Sequence, residues 1–481
     1  MGAVGLNFGS ATSGQGFDVT STVNQIVTNL QTVETPWKTQ LTALTSKDTT
    51  LTSLGTQLST LSTDLQNLTD FSGTMAYKTG SSSDTNVLTL SSASAAAVAG
   101  THTISVQNLA QTSSAASDAI KASDTLTGGI TFQVGTTGKW QTVNVNDGST
   151  AATLSGLSAA INNANVGVTA SVLTNADGTA RLSLVSQTSG SAGQITIATT
   201  KTSSHSATNL ADSTTTDANP VLGLSTIQNG LDATMTVDGV PNITSASNTV
   251  TTAIPGVTFQ LLSTGTANSD GPETVQVMID NDTTSIETAI NTFVTDYNTT
   301  MKAINAQEGK DSSGDPEPLY GTSVLAQLQE GLLSAVSSSF GSNTINSLIS
   351  LGITANASAD GTISLDADAL SNALNINFNQ VVSLFQDTGS FGSTFTDTLN
   401  GLGNSSAEGG AISLALSEDS SQEATLNDNV SKQEALIATQ KTSLTTELNT
   451  ANQVLQSIPE MIQEVNEMYG AITGYNTNQN G

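Results

Sequence analysis

Apolar residues recur at heptad spacing towards both ends of the chain, and between them the pattern switches to short alternating runs. The first ladder is Trp37, Leu41, Leu44, Leu51, Leu54, Leu58, Leu61, Leu65 and Leu68, in steps of three and four with one step of seven. The second is Val430, Ile437, Leu444, Leu448, Ala451, Leu455, Ile458, Ile462 and Val465. A seven-residue repeat keeps one helix face apolar, and that face has to be buried against another helix. Each ladder therefore needs a partner: the other ladder, or copies of both from neighbouring subunits. A shorter stripe, Val19, Val23, Ile26, Val27, Leu30 and Val33, precedes the first ladder, with Asp18 or Thr20 as N-cap and Pro36 as the interruption. The spacing predicts a helix over 35–71, about 50 Å long at 1.5 Å per residue. It also predicts a C-terminal helix over 417–469 with a kink or break at Pro459, which lacks an N–H and clashes with the turn before it.

From Tyr77 the period changes to two. Val87–Leu90, Thr103–Val106, Ile130–Val134 and Thr142–Val145 alternate with β-branched residues and predict half-buried strands. Asp147-Gly148, Asp177-Gly178 and Asp238-Gly239 lie between such runs as tight-turn signals. A helix with Leu154, Leu157, Ala160 and Ile161 on one face interrupts the strands before Val166–Leu173, and 201–220 is a Thr/Ser/Asp-rich connection. Strands return at Ala233–Val237, Val257–Leu262 and Thr274–Ile279. Helical spacing resumes at Ile286, Ile290, Phe293, Val294, Tyr297, Met301 and Ile304. Beyond the Gly309–Pro318 loop come a helix at Val324–Val336, a strand at Gly361–Leu365, helices at Ala367–Leu374 and Val381–Phe385, and a Gly-rich hinge at 401–410.

This succession predicts a multidomain α+β fold: a helical coiled-coil stalk drawn from both termini, with inserted β-rich head domains. The divisions are terminal leg helices at 1–35 and 450–481, a helical-bundle stalk at 36–75 and 283–449, a β-rich head domain at 76–125 and 228–282, and an inserted outer α+β head domain at 126–227. For residues 37–68 an intramolecular core and an oligomer seam fit the leucine stripe equally well. The N-terminal arm and the stretch past Ile458 have no intramolecular cover in the pattern, which favours assembly. The residues assigned to an oligomer or filament interface are Val23, Ile26, Val27, Leu30, Leu44, Leu51, Leu58, Leu65, Ile437, Leu444, Leu455, Ile462 and Val465.

Charge narrows the partners. The chain carries 11 Lys plus Arg against 40 Asp plus Glu, a net charge of −29, and its one Arg is Arg181. Phosphate backbones require basic side chains that release counterions, so nucleic acid is excluded as a partner. No apolar run is long enough to span a bilayer, and no membrane insertion is expected. Residues 1–16 have neither a positive n-region nor an apolar h-region, so they read as a Gly-rich arm rather than a Sec-type signal. Aromatics make up 4% of the residues, which predicts cores built from many small aliphatic contacts rather than large anchors.

Chemistry is sparse. There is no Cys, and His102 and His205 lie in unrelated segments. His102 alternates with Ile104 and Val106 and reads as an outward-facing strand residue. Asp311, Asp315 and Glu317, and likewise Asn144, Asn146 and Asp147, lack the EF-hand spacing and its terminal Glu, so they read as solvated turns. Asp366 and Asp368 suit a helix start. Gly135 to Lys139 lacks the Walker spacing and reads as a hairpin turn. The expectation is a protein without catalytic residues, metal or cofactor.

Several segments, in this order, carry a family likeness. They are Gly16-Phe17-Asp18-Val19 ahead of an apolar helix and Pro36; His102-Thr103-Ile104-Ser105-Val106-Gln107-Asn108-Leu109-Ala110-Gln111; and Ala159–Ile197, which runs from a helix through Asp-Gly into a strand. They continue with Thr236–Val240, Ile254–Thr258, Leu351–Thr354, Asp360–Asp366 and Val381–Phe385. Together they resemble the flagellar filament cap family, hook-associated protein 2, over nearly the whole chain. Phe17 stands where Ile or Leu is commoner, Asn108 is inserted or shifted, and the terminal helices are poorer in Arg, Lys and Glu than the family pattern. The resemblance implies a homo-oligomeric ring at the filament tip of the bacterial flagellum, secreted by the flagellar type III export apparatus with its export chaperone. Flagellin and the hook-associated filament proteins are the implied partners, and promotion of flagellin folding and polymerisation the implied role. Two other roles, a hook-filament junction protein and a surface adhesin, predict different outcomes on gene removal.

Overall fold

The computed structural model describes residues 16–126, 129–144, 153–198, 222–266, 273–358, 360–403 and 409–473. The arm before Gly16, the Asp147-Gly148 turn, the connection over 201–220 and half of the 401–410 hinge lie outside them. The helices are α1 (Val19–Gln31), α2 (Thr35–Thr69), α3 (Leu154–Ala164), α4 (Thr283–Ala306), α5 (Ser323–Ser337), α6 (Ala367–Gln386), α7 (Phe391–Leu402) and α8 (Ala411–Thr473).

The chain divides into two compact units, 1–69 with 287–481, and 70–286. Both terminal stretches thus share one helical unit. Within it α1 and α2 pack on α8, while α5, α6 and α7 close the remaining sides. The α2 ladder is buried from Leu51 onward, with Leu51, Leu54, Leu58, Leu61, Leu65 and Leu68 all enclosed, while Trp37, Leu41 and Leu44 are half-buried. Asp18 caps α1 by accepting from the Ser21 amide. A small antiparallel hairpin, Ile353–Ala355 with Ile363–Leu365, lies against α4, where Asn298 exchanges two hydrogen bonds of 2.8 Å with the Ile363 backbone.

The two helices expected at 367–374 and 381–385 are the two arms of α6, separated by a kink at Asn377, whose φ of −124° and ψ of 33° are non-helical. Two other expectations are revised. The stretch before the Gly-rich hinge forms a helix, α7, that its Gly, Ser and Thr content hides. It brings Phe391 and Phe395 into a cluster with Phe293, Phe340 and Phe385, so the helical unit has a large aromatic anchor where small aliphatic contacts were expected. Finally, α8 runs 63 residues through Pro459 without interruption. The carbonyl of Leu455 loses its intrahelical donor there, but on a half-exposed stretch of helix solvent can serve it.

The β-rich unit is antiparallel throughout. Its largest sheet has eight strands in the order Val240–Ser245, Ala233–Val237, Gly100–Asn108, Thr274–Asn281, Lys78–Ser82, Leu88–Ala93, Val257–Leu261 and Thr249–Val250. One core, with Ile104, Val106, Met235, Phe259, Val277 and Ile279, lies on this sheet. A second encloses Ala115, Ile120, Phe132, Leu157, Ile161, Leu182 and Leu184, between α3 and two further sheets. The Asp238-Gly239 signal marks a hairpin in which both central residues have positive φ, 52° and 79°, as a two-residue primed turn requires. A Cβ at Gly239 would meet no atom within 4 Å, so Gly239→Ala isolates the backbone term. It is expected to cost about 1–2 kcal/mol, measured by denaturant unfolding.

Candidate functional site

Part of the predicted interface lies along the seam between α1–α2 and α8. The seam is antiparallel. The Phe17 amide donates to Asn452 Oδ1 (2.8 Å), Lys38 Nζ reaches Glu434 Oε1 (3.2 Å), and Lys47 Nζ reaches Asp419 Oδ1 (2.8 Å). Glu34, buried between α1 and α2, accepts a second bond from Lys38 (2.7 Å). These hydrogen bonds to Glu34 and Glu434 hold the Lys38 ammonium above its usual range. They fix which turn of α8 faces which turn of α1 and α2, a register that a plain leucine ladder leaves free.

The predicted interface residues separate into three groups. Val23, Leu51, Leu58, Leu65 and Ile437 are buried within the chain's own fold. Ile26, Val27, Leu30, Leu44, Leu444 and Leu455 are half-buried. Ile462 and Val465 are exposed, at 42% and 59%. They belong to a longer stripe: Met461, Ile462, Val465, Met468, Tyr469 and Ile472 are all large, apolar and exposed. Their spacing, i, i+1, i+4, i+7, i+8 and i+11, puts them on one face, with Glu460, Glu464 and Glu467 among the residues that complete the helix. Contiguous exposed apolar faces are characteristic of interaction surfaces. Met461, Met468, Tyr469 and Ile472 are not picked out by the ladder, although the same period extended past Val465 reaches the last three and Met461 lies beside Ile462 on that face.

Elsewhere the polar residues serve structure. His102 is half-buried and paired: its Nδ1 lies 2.7 Å from Asp238 Oδ2, which ties the Gly100–Asn108 strand to the hairpin turn. That contact and the Thr103 amide hold the Asp238 carboxyl below its usual range. Asp311 closes its own loop by accepting from the Ser313 and Asp315 amides, and Asp366 caps α6 through the Asp368 and Ala369 amides. Gly135 to Lys139 turns between the paired strands Gly129–Val134 and Gln141–Asn144. A groove of about 640 Å³ in the β-rich unit is lined by Tyr77, Lys78, Ser92 and Asp282. Its charged groups are engaged, Lys78 with Asn281 (2.7 Å) and Asp282 with Ser285 (2.6 Å). Among the described residues no helix is long and apolar enough to cross a membrane.

Two family models match the chain, the flagellar hook-associated protein 2 N-terminus over residues 15–113 and its C-terminus over 230–471. The chain belongs to the flagellar hook-associated protein 2 family. Between the matched spans lies the stretch that carries the second β-rich core. The chain is 29% identical over 328 residues to the B-type flagellar hook-associated protein 2 of Pseudomonas aeruginosa, covering 65% of this chain and 67% of that one. It is 28% identical over 368 residues to the flagellar hook-associated protein 2 of Escherichia coli O157:H7, covering 72% and 76%. Among solved structures, the flagellar cap protein FliD D1-D2-D3 domains from Escherichia coli superpose with a TM-score of 0.57 at 26% identity, over 77% of this chain and 99% of that one. Family and structure agree on helices at both ends around an inserted β-rich region.

Proposed function

We propose that this chain is the cap at the distal end of a bacterial flagellar filament, where it promotes the folding and polymerisation of exported flagellin. The observation that carries the reading is the exposed apolar face of α8 beyond Ile458, in a hook-associated protein 2 chain whose two terminal stretches share one helical unit. In this reading α1 and the end of α8 are the legs that engage the filament, and Ile462 and Val465 contact it. The half-buried residues Ile26, Val27, Leu30, Leu44, Leu444 and Leu455 border contacts between copies in a homo-oligomer. Leu51, Leu58, Leu65, Val23 and Ile437 support that surface from within. The stalk at 36–75 and 283–449, the head at 76–125 and 228–282 and the outer module at 126–227 are our division of the remainder. Flagellin and hook-associated filament proteins are the partners at the tip, and the flagellar export chaperone and type III apparatus deliver the chain. The work is done by positioning, with no covalent step.

Removing the gene tests this. Cells are expected to shed unpolymerised flagellin into the medium and to carry few filaments, both restored by the intact gene. Normal filaments accompanied only by weaker adherence would overturn the cap reading.

A further inference from the structure

The helical unit contains two places where one carboxyl group faces another. Asp48 of α2 and Asp419 of α8 are within hydrogen-bonding reach of each other, as are Asp64 of α2 and Asp296 of α4. In the first pair Asp419 is fully buried, and both Asp48 Oδ1 and Asp419 Oδ2 are enclosed without a donor. In the second, Asp64 Oδ2 is likewise enclosed without a donor. Two facing carboxylates repel, and a buried acceptor without a donor is costly. One proton between the two groups removes both defects, because it turns a repulsive contact into an O–H···O bond.

We propose that each of these carboxyl pairs holds one shared proton, which makes the helical unit a bundle that mild acid tightens and neutral pH loosens. The proposal is independent of the filament-cap reading. The charged groups set around Asp48 are Asp419 and Glu423 on α8 and Lys47 on its own helix. Lys47 is already engaged with Asp419 Oδ1 at 2.8 Å, and Glu423 adds negative charge. Burial first, then the bond to Asp419 and the charges of Asp419 and Glu423, push the Asp48 carboxyl up to about 6 against the pull of Lys47. Asp296 is the charged group facing Asp64, and burial followed by that contact pushes Asp64 to about 6 as well. A carboxyl whose folded pKa is raised stabilises the fold in full below its unfolded value near 4, and the effect is lost as pH rises through about 6. The stabilisation is therefore gained as pH falls from about 6 to about 4. This is the reverse of ordinary acid denaturation.

The test is thermal unfolding of the full chain, followed by the helical ellipticity at 222 nm between pH 7.5 and 5.0. The melting of helix is expected to move upward as pH falls, with the folding constant rising about three- to tenfold per pair after allowance for solvent screening. Asp48→Asn combined with Asp64→Asn supplies a permanent donor at each pair. That variant is expected to melt at pH 7.5 where the unaltered chain melts at pH 5.0, with a flat pH profile. Asp296→Asn, on the other side of the second pair, should reproduce half of the flattening. A melting temperature that is level or falls between pH 7.5 and 5.0 would overturn the proposal. So would an unchanged slope in the Asn variants, or a rise at pH 7.5 produced by millimolar calcium in place of protons.

Discussion

Phe391→Ala is expected to destabilise the helical unit by about 3–5 kcal/mol, the range for emptying a fully buried phenylalanine site. Phe391 has no exposed surface. It stacks on Phe395 at 5.2 Å, meets the edges of Phe293 and Phe385 at 6.0 and 5.7 Å, and approaches Phe340 at 6.1 Å. One ring therefore joins α4, α6 and α7. The site cannot collapse easily, because Gly392 already presses its backbone against the Phe385 carbonyl so closely that a Cβ would collide. Phe391→Leu keeps most of the volume and should cost about half as much or less. Urea unfolding followed by helical ellipticity distinguishes the two. If the Ala and Leu variants were equally stable, the aromatic cluster would not be the anchor of this unit.

That cluster also marks where the sequence falls silent. Periodicity locates the α2 ladder, α4 and the strands because each buries a repeating face, and the repeat is visible in one dimension. The aromatic anchor has no repeat. Its members lie in four segments, and Phe391 and Phe395 lie in a helix whose Gly, Ser and Thr content argues against helix. The acid pairs left a trace that can be read in hindsight. The single seven-residue step in the first ladder, from Leu44 to Leu51, skips the rung at which Asp48 points into the seam. A polar residue at a skipped heptad position must meet something polar, and here it meets Asp419, seven residues after the buried Ile412 on α8. The exposed end of α8 was legible for a different reason: the apolar period continues where the first ladder has no counterpart to cover it. What a ladder cannot tell is which of its rungs are satisfied within the chain. Leu58 and Val465 look alike in sequence, yet one is 2% exposed and the other 59%.

This difference between rungs gives the prediction with the largest functional effect. Ile462→Asp combined with Val465→Asp is expected to leave the fold intact and to abolish capping. Both side chains are exposed, so stability should change by no more than about 0.5 kcal/mol, and the helical melt should superpose on that of the unaltered chain. Docking is another matter. Burying an Ile or Val is worth about 1.5–3 kcal/mol each, and two carboxylates on a face meant for apolar contact add a desolvation cost. Affinity for filament ends should fall at least about a hundredfold per subunit, and a multi-subunit assembly would lose the product of those factors. Cells carrying the double variant should release flagellin into the medium as the gene deletion does, while the purified variant remains folded and absent from filament tips in electron micrographs. Leu58→Asp provides the contrast, since it places a charge in the enclosed leucine face of α2 and should unfold the helical unit outright. If the Ile462 and Val465 variant capped filaments normally, the exposed face of α8 would have to dock elsewhere, and the leg assignment would be lost with it.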